Sequence, residues 1–214
     1  MALSKVNFNS MNITPSASKA IKFNSGNNGL ETGDLGGSLV LLSTQTASSS
    51  ANLTFASGID STYKEYQFHF IDMHPATNDV TFGFQTDTGT NTSYNQTMTT
   101  TFFQARHTES DSATSLAYTT NRDIAQGTGF QTLIYDVGNG NDENCSGILH
   151  LYDPSSSTFV KHFTSRASNY GQANEAADCF AAGYVNTTTA LTRVRFKMSS
   201  GNTDAGTIKL YGVS

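Results

Sequence analysis

The sequence predicts an all-β protein, an antiparallel β-sandwich or jelly roll preceded by an extended N-terminal arm. Three observations predict it. The first is a series of short, turn-bounded segments of period-2 alternation: Thr192, Val194, Phe196 and Met198 alternate with Arg193, Arg195 and Lys197, leaving one face apolar and the other wet. The second is composition. Ser, Thr, Asn and Gly supply 91 of the 214 residues while charged residues are only 14%, so hydroxyls and amides must wet the surface. Thr, a β-branched hydroxyl residue, suits the solvent face of a sheet better than a helix. The third is turn chemistry: Ser199-Ser200-Gly201-Asn202 provides positive-φ positions, after which Thr207 to Val213 reads as the partner strand closing the fold.

Residues 1–37 are rich in Asn, Ser, Ala and Gly with spaced apolar residues, and close on Gly36-Gly37. This pattern predicts an attachment arm that orders against a partner, with Lys5, Phe8, Lys19, Lys22 and Phe23 as its contacts. Residues 38–214 then form the sandwich domain. Leu39-Val40-Leu41-Leu42 predicts a fully buried strand, Ser48 to Ser50 a turn, and Leu53 with Phe55 a short strand. Tyr63 to Met73 is the strongest strand, with Tyr66, Phe68 and Phe70 on one face and Gln67, His69 and Ile71 on the other. Pro75 ends it, and Val80, Phe82 and Phe84 mark the returning strand. Residues 91 to 101 read as a long loop or edge strand. Further strands fall at 101–106, 130–135, 146–152, 158–164, 180–186 and 191–198, a spacing that indicates a sandwich. Helical turns are expected only at 121–126 and 174–179.

The net charge of −5 and the lack of any Lys/Arg cluster exclude a nucleic-acid partner, which needs a basic face. No apolar run approaches the ~20 residues of a membrane helix, and Met1 to Lys5 opens no apolar signal segment, so the expected site of synthesis is a cytoplasm. Cys145 and Cys179 are too few for a disulfide scaffold and too far apart for a zinc knuckle; both are expected as buried free thiols.

His69, Asp72 and His74 carry metal-ligand chemistry, but strand alternation turns His69 away from both partners. The Gly-rich run from Asp136 to Asn144 offers carboxylates and amides to Ca²⁺, with Asp136 and Asp142 as the weak candidate ligands, yet glycines occupy positions where an EF-hand needs ligands. His107, His150 and His162 have no adjacent nucleophile elbow, and no cofactor motif is present. Tyrosines in loop-like sequence stack on sugar rings where they are exposed. Tyr94 and Tyr170 are therefore the expected glycan-binding residues.

Three segments carry a family resemblance: Ser38 to Ser48; Tyr63-Lys64-Glu65-Tyr66 running to His74-Pro75-Ala76-Thr77; and Gly206-Thr207-Ile208-Lys209-Leu210-Tyr211-Gly212. In these the chain resembles virion structural proteins of marine tailed bacteriophages, especially cyanophage-like fibre or appendage proteins. The resemblance implies a β-sandwich head, commonly trimeric, carried on an N-terminal attachment segment, with no catalytic residues. It predicts a non-enzymatic virion protein, a homotrimer bound to other virion proteins through its arm, and the hydroxyl- and amide-rich exterior with its loop tyrosines adds weak binding of host-surface glycans through the head. The long repetitive shaft of a full tail fibre is missing, so a capsid-decorating protein is the alternative. A glycan depolymerase would need opposed acids at a groove, and the sequence offers scattered ones. Strands such as 63–73 and 146–152 are apolar on both faces, which also predicts a covered second face in a homo-oligomer.

Overall fold

The computed structural model describes residues 20–26, 28–33 and 39–214. Lys5, Phe8 and Lys19 lie outside the described residues. The chain divides into two compact units, residues 1–38 and Leu39–Val213. Within the first, β1 (Ala20–Phe23) and β2 (Leu30–Gly33) form an antiparallel hairpin in which Ala20 faces Gly33 and Phe23 faces Leu30. Within the expected extended arm, residues 20–23 and 30–33 are thus extended strands paired with each other. Lys22 pairs with Glu31 across the hairpin at 3.5 Å, and Phe23 is exposed.

The second unit is an antiparallel β-sandwich. Its strands are β3 (Leu39–Thr46), β4 (Leu53–Phe55), β5 (Glu65–Pro75), β6 (Val80–Asp87), β7 (Met98–Thr108), β8 (Thr114–Tyr118) and β9 (Ala125–Gly127). There follow β10 (Gln131–Val137), β11 (Cys145–Tyr152), β12 (Lys161–Gly171), β13 (Glu175–Val185), β14 (Arg193–Met198) and β15 (Thr203–Val213). One sheet runs β3-β15-β5-β11-β12-β13-β7, with β8 and β9 both on the far edge of β7; the other runs β4-β14-β6-β10. A single pair, Val137 with Gly171, joins them. Among the described residues no helix is long and apolar enough to cross a membrane.

Alternation dictates the core. Tyr66, Phe68, Phe70, Leu149, Leu151 and Phe163 point inward from the large sheet and meet Phe82, Phe84, Val194 and Phe196 from the small one. Cross-sheet ring pairs lock the layers: Phe84 meets Phe163 edge-on at 4.9 Å, Phe70 meets Phe82 at 5.3 Å and Phe68 meets Phe196 at 5.3 Å. Each such pair is worth about 0.5–1.5 kcal/mol beyond the area it buries. Cys145 and Cys179 are both buried and free.

Several expectations fail for a common reason, that alternation identifies a strand but not its partners. The turn after Met198 is not a hairpin turn: β14 pairs with β4 and β6, whereas β15 pairs with β3 and β5 in the opposite sheet. Likewise β6 does not return beside β5 but crosses to the small sheet, between β10 and β14. Leu39 to Leu42 is not fully buried, because β3 is an edge strand bonded only to β15, leaving Leu39 and Leu41 42% and 54% exposed. Neither expected helical turn forms a helix: residues 121–123 are turn and bend leading into a strand, and 175–179 are strand. Residues 125–127 form β9, and Glu175 opens β13 with its side chain buried against Arg106, a pairing that overrides the helical propensity of Glu-Ala-Ala.

A bulge changes the reading of β5. Phe70 faces Gly147 but Met73 faces Cys145, so three steps on β5 oppose two on β11, with Asp72 at φ 52°. The extra residue flips the alternation and returns His74 to the face of His69. They do not converge on a shared ion: His74 Nε2 bonds the Gly140 carbonyl, His69 Nε2 bonds Gln67, and no metal-holding group of His, Cys, Asp and Glu exists among the described residues.

Candidate binding groove

The outer face of the large sheet carries a groove of about 910 Å³ over β11, β12, β13 and β7. The sequence makes it by placing small residues at outward positions in its floor. Ala105, Ser146, Ser168 and Ala176 leave a depression flanked by Ile148, His150, His107 and Phe180. Gly147 contributes too: a Cβ there would stand 2.5 Å from the Arg166 carbonyl oxygen, so only glycine lets β11 and β12 pack this closely.

Register builds the polar centre. Phe103, Phe180, Arg166 and Ile148 occupy one cross-strand row, and Ala105, Asp178, Ser168 and Ser146 the next. Phe103 and Phe180 are stacked 4.7 Å apart with planes 3° from parallel, and the Arg166 guanidinium lies 5.2 Å from the Phe180 ring. From there Arg166 grips Asp178 through Nε at 3.1 and 3.2 Å and through Nη2 at 2.8 Å. This planar fork is the geometry for which guanidinium is suited. On the opposite, inner face Arg106 reaches the buried carboxylate of Glu175 at 3.3 Å, while at the groove His107 Nε2 meets Asp111 at 2.9 Å.

At the other end a relay of side chains fixes His150. Its Nδ1 donates to Glu65 at 2.7 Å, Gln67 Nε2 donates to the same carboxylate oxygen at 2.9 Å, and His69 Nε2 donates to Gln67 Oε1 at 2.9 Å. Burial pushes the Glu65 carboxyl up, but the bonds from His150 and Gln67 outweigh it and hold it below its ordinary value. Burial, then the neighbouring His150 and Lys209, lower His69, which packs on Tyr211 at 4.8 Å. A smaller hollow of about 340 Å³, lined by Thr99, Thr101, His162 and Tyr184 among others, shares Thr164 with the groove.

The sequence-predicted site residues fare differently. Tyr94 is corrected: it is 3% exposed, its ring lies under the Arg195 guanidinium at 3.8 Å, and its N–H donates to the buried Asp87. Its polar flanks belong to a loop folded back on β14. Tyr170 is half-buried and pairs in register with Ala176 at the groove's end, its hydroxyl donating to Asn174. Asp136 and Asp142 are not brought together as ligands. The charges acting on Asp136 are Asp79, Arg122 and Glu175, while Asp142 is exposed and acts on Tyr170. Lys22 and Phe23 sit in the β1–β2 hairpin. Sequence reasoning missed Phe103, Phe180, Arg166 and Asp178. The available signal was parity: once β12 and β13 are extended to Gly171 and back to Glu175, Arg166, Asp178 and Phe180 all fall on the outward face.

No protein-family model matches the chain, and no curated protein and no solved structure is significantly similar to it.

Proposed function

We propose that this chain is a non-enzymatic structural protein of a phage particle, the projecting head of a short tail-fibre-type appendage that binds host-surface glycans through its outer groove. The groove carries the reading. It is a largely apolar depression with a row of hydroxyls and one guanidinium–carboxylate pair, the mixture by which shallow sites hold the apolar faces and hydroxyls of sugars. Its volume lies within the roughly 300–1,000 Å³ usual for ligand sites. Asp178 is the one acid among the residues lining it, and Arg166 holds that carboxylate; glycoside hydrolysis needs two. That favours binding over cleavage. Residues 1–37 attach the head to other virion proteins, and a homotrimer multiplies weak contacts by avidity.

Binding of the labelled intact chain to host cells, and to polysaccharide extracted from them, tests the proposal. Ala176→Trp fills the floor from an exposed position, and should abolish binding with an unchanged melting temperature. Undiminished binding by this variant refutes the groove as the site. Immunogold labelling of particles separates an appendage from a capsid decoration.

A further inference from the structure

Every basic side chain on the outer face of the groove is already paired with an acid of this chain. Arg166 is held by Asp178 in three contacts of 2.8 to 3.2 Å, His107 by Asp111 and His150 by Glu65. Resting on the glycan reading above, we infer that the groove takes uncharged glycans and that Asp178 is the residue that sets this specificity. A sulfated or uronate sugar meets Arg166 either at its Nη1 edge, where the charge is already shared with Asp178, or by displacing Asp178, and in both cases that carboxylate faces an anion at short range.

The same pair is well formed for neutral hydroxyls. Arg166 spends Nε and Nη2 on Asp178, which leaves the Nη1 donors directed away from the pair. A carboxylate accepts at about four lone-pair positions, more than the three contacts it makes here. A donor and an acceptor thus stand side by side on one strand pair, matching two adjacent hydroxyls of a pyranose, each of which donates once and accepts once. Ser146, Ser168 and Thr164 extend the set along the floor, and Ile148 and the Phe180 edge cover the ring carbons. Phe180 does not offer a free face, since Phe103 covers one side and Arg166 the other. The aromatic row acts as a ridge against the sugar rather than a platform beneath it.

The test is a printed array of neutral glucans, galactans and mannans beside their sulfated and uronate-containing counterparts, probed with the intact chain at low and high salt. Wild type should bind neutral members, with affinity little changed by salt because no ion pair forms with the ligand. Asp178→Asn keeps the shape, frees the guanidinium and should move the preference toward sulfated members by roughly tenfold, the size of one charge-assisted hydrogen bond. Arg166→Gln should weaken neutral binding by a similar factor without gaining anions. Both side chains lie on the outer face, and an unchanged thermal melt certifies the fold. Salt-sensitive preference of the wild type for anionic glycans overturns the inference while leaving the glycan reading in place. So does an unaltered neutral-to-anionic ratio in Asp178→Asn. Binding to no glycan of either class overturns the glycan reading itself.

Discussion

Asp136 is expected to make the fold less stable at neutral pH than in mild acid, and Asp136→Asn should remove the difference. The residue sits near the end of β10, half-buried, with φ 53°. Burial first, then the hydrogen bond and charge of Asp79, push its carboxyl from 3.8 up to about 6, with Arg122 opposing. Well below 3.8 the folded and unfolded chains both hold the proton and the group contributes nothing. As pH rises toward 6 the unfolded chain releases its proton first, so stability falls, and above 6 the full penalty persists. A displacement of roughly two pH units corresponds to at most ~3 kcal/mol, and screening of a half-solvated carboxyl reduces this to on the order of 1 kcal/mol. Asparagine tolerates the left-handed backbone, carries no charge and can donate to Asp79. The variant should melt about 2–4 °C higher than wild type at pH 8, the difference shrinking toward pH 4. Thermal melts followed by circular dichroism across pH 4 to 8 measure it. A difference independent of pH, or a lower melting temperature at pH 8, refutes the reasoning.

Removing residues 1–38 should leave a soluble body with β-type circular dichroism and a cooperative melt, because Leu39–Val213 is a compact unit by itself; loss of cooperativity would place those residues in the core. Burial raises the Cys145 thiol strongly and the Cys179 thiol to about 12, so native protein should resist a thiol reagent at pH 8 and yield two thiols per chain in non-reducing denaturant. Zero thiols would mean a bridge. The proposed trimer should scatter light at three chain masses, and Ile71→Glu, at a 41% exposed outer position, should return it to one chain mass with an unchanged melt; a monomeric wild type at micromolar concentration refutes a stable free trimer.

The sequence by itself determined that this chain is built of antiparallel strands and, over most of β5, β6 and β14, which side chains face the core. Tyr66, Phe68, Phe70, Phe82, Phe84 and Phe196 were legible because alternation with polar neighbours is a local property, read off consecutive residues. The two free buried cysteines were legible from their number and spacing, too few for a disulfide scaffold and too far apart for a zinc knuckle. Partnership was not legible. Four residues link β14 to β15 and the turn chemistry suits a hairpin, yet each strand satisfies its hydrogen bonds with segments more than a hundred residues distant, in different sheets. Burial followed partnership: Leu39 and Leu41 are exposed because β3 ends its sheet, and Tyr94 is covered because a polar loop folds onto Arg195. The bulge at Asp72 reset the faces of β5 by one residue, which no pattern within the strand announced. The groove depends on the same long-range facts. Phe103, Arg166 and Phe180 come from three strands, spread over nearly eighty residues, and only the register of β7, β13 and β12 sets them in one row. Local chemistry chooses strand and face; tertiary pairing alone decides which faces meet, and a site assembled from several strands exists only after that choice is made.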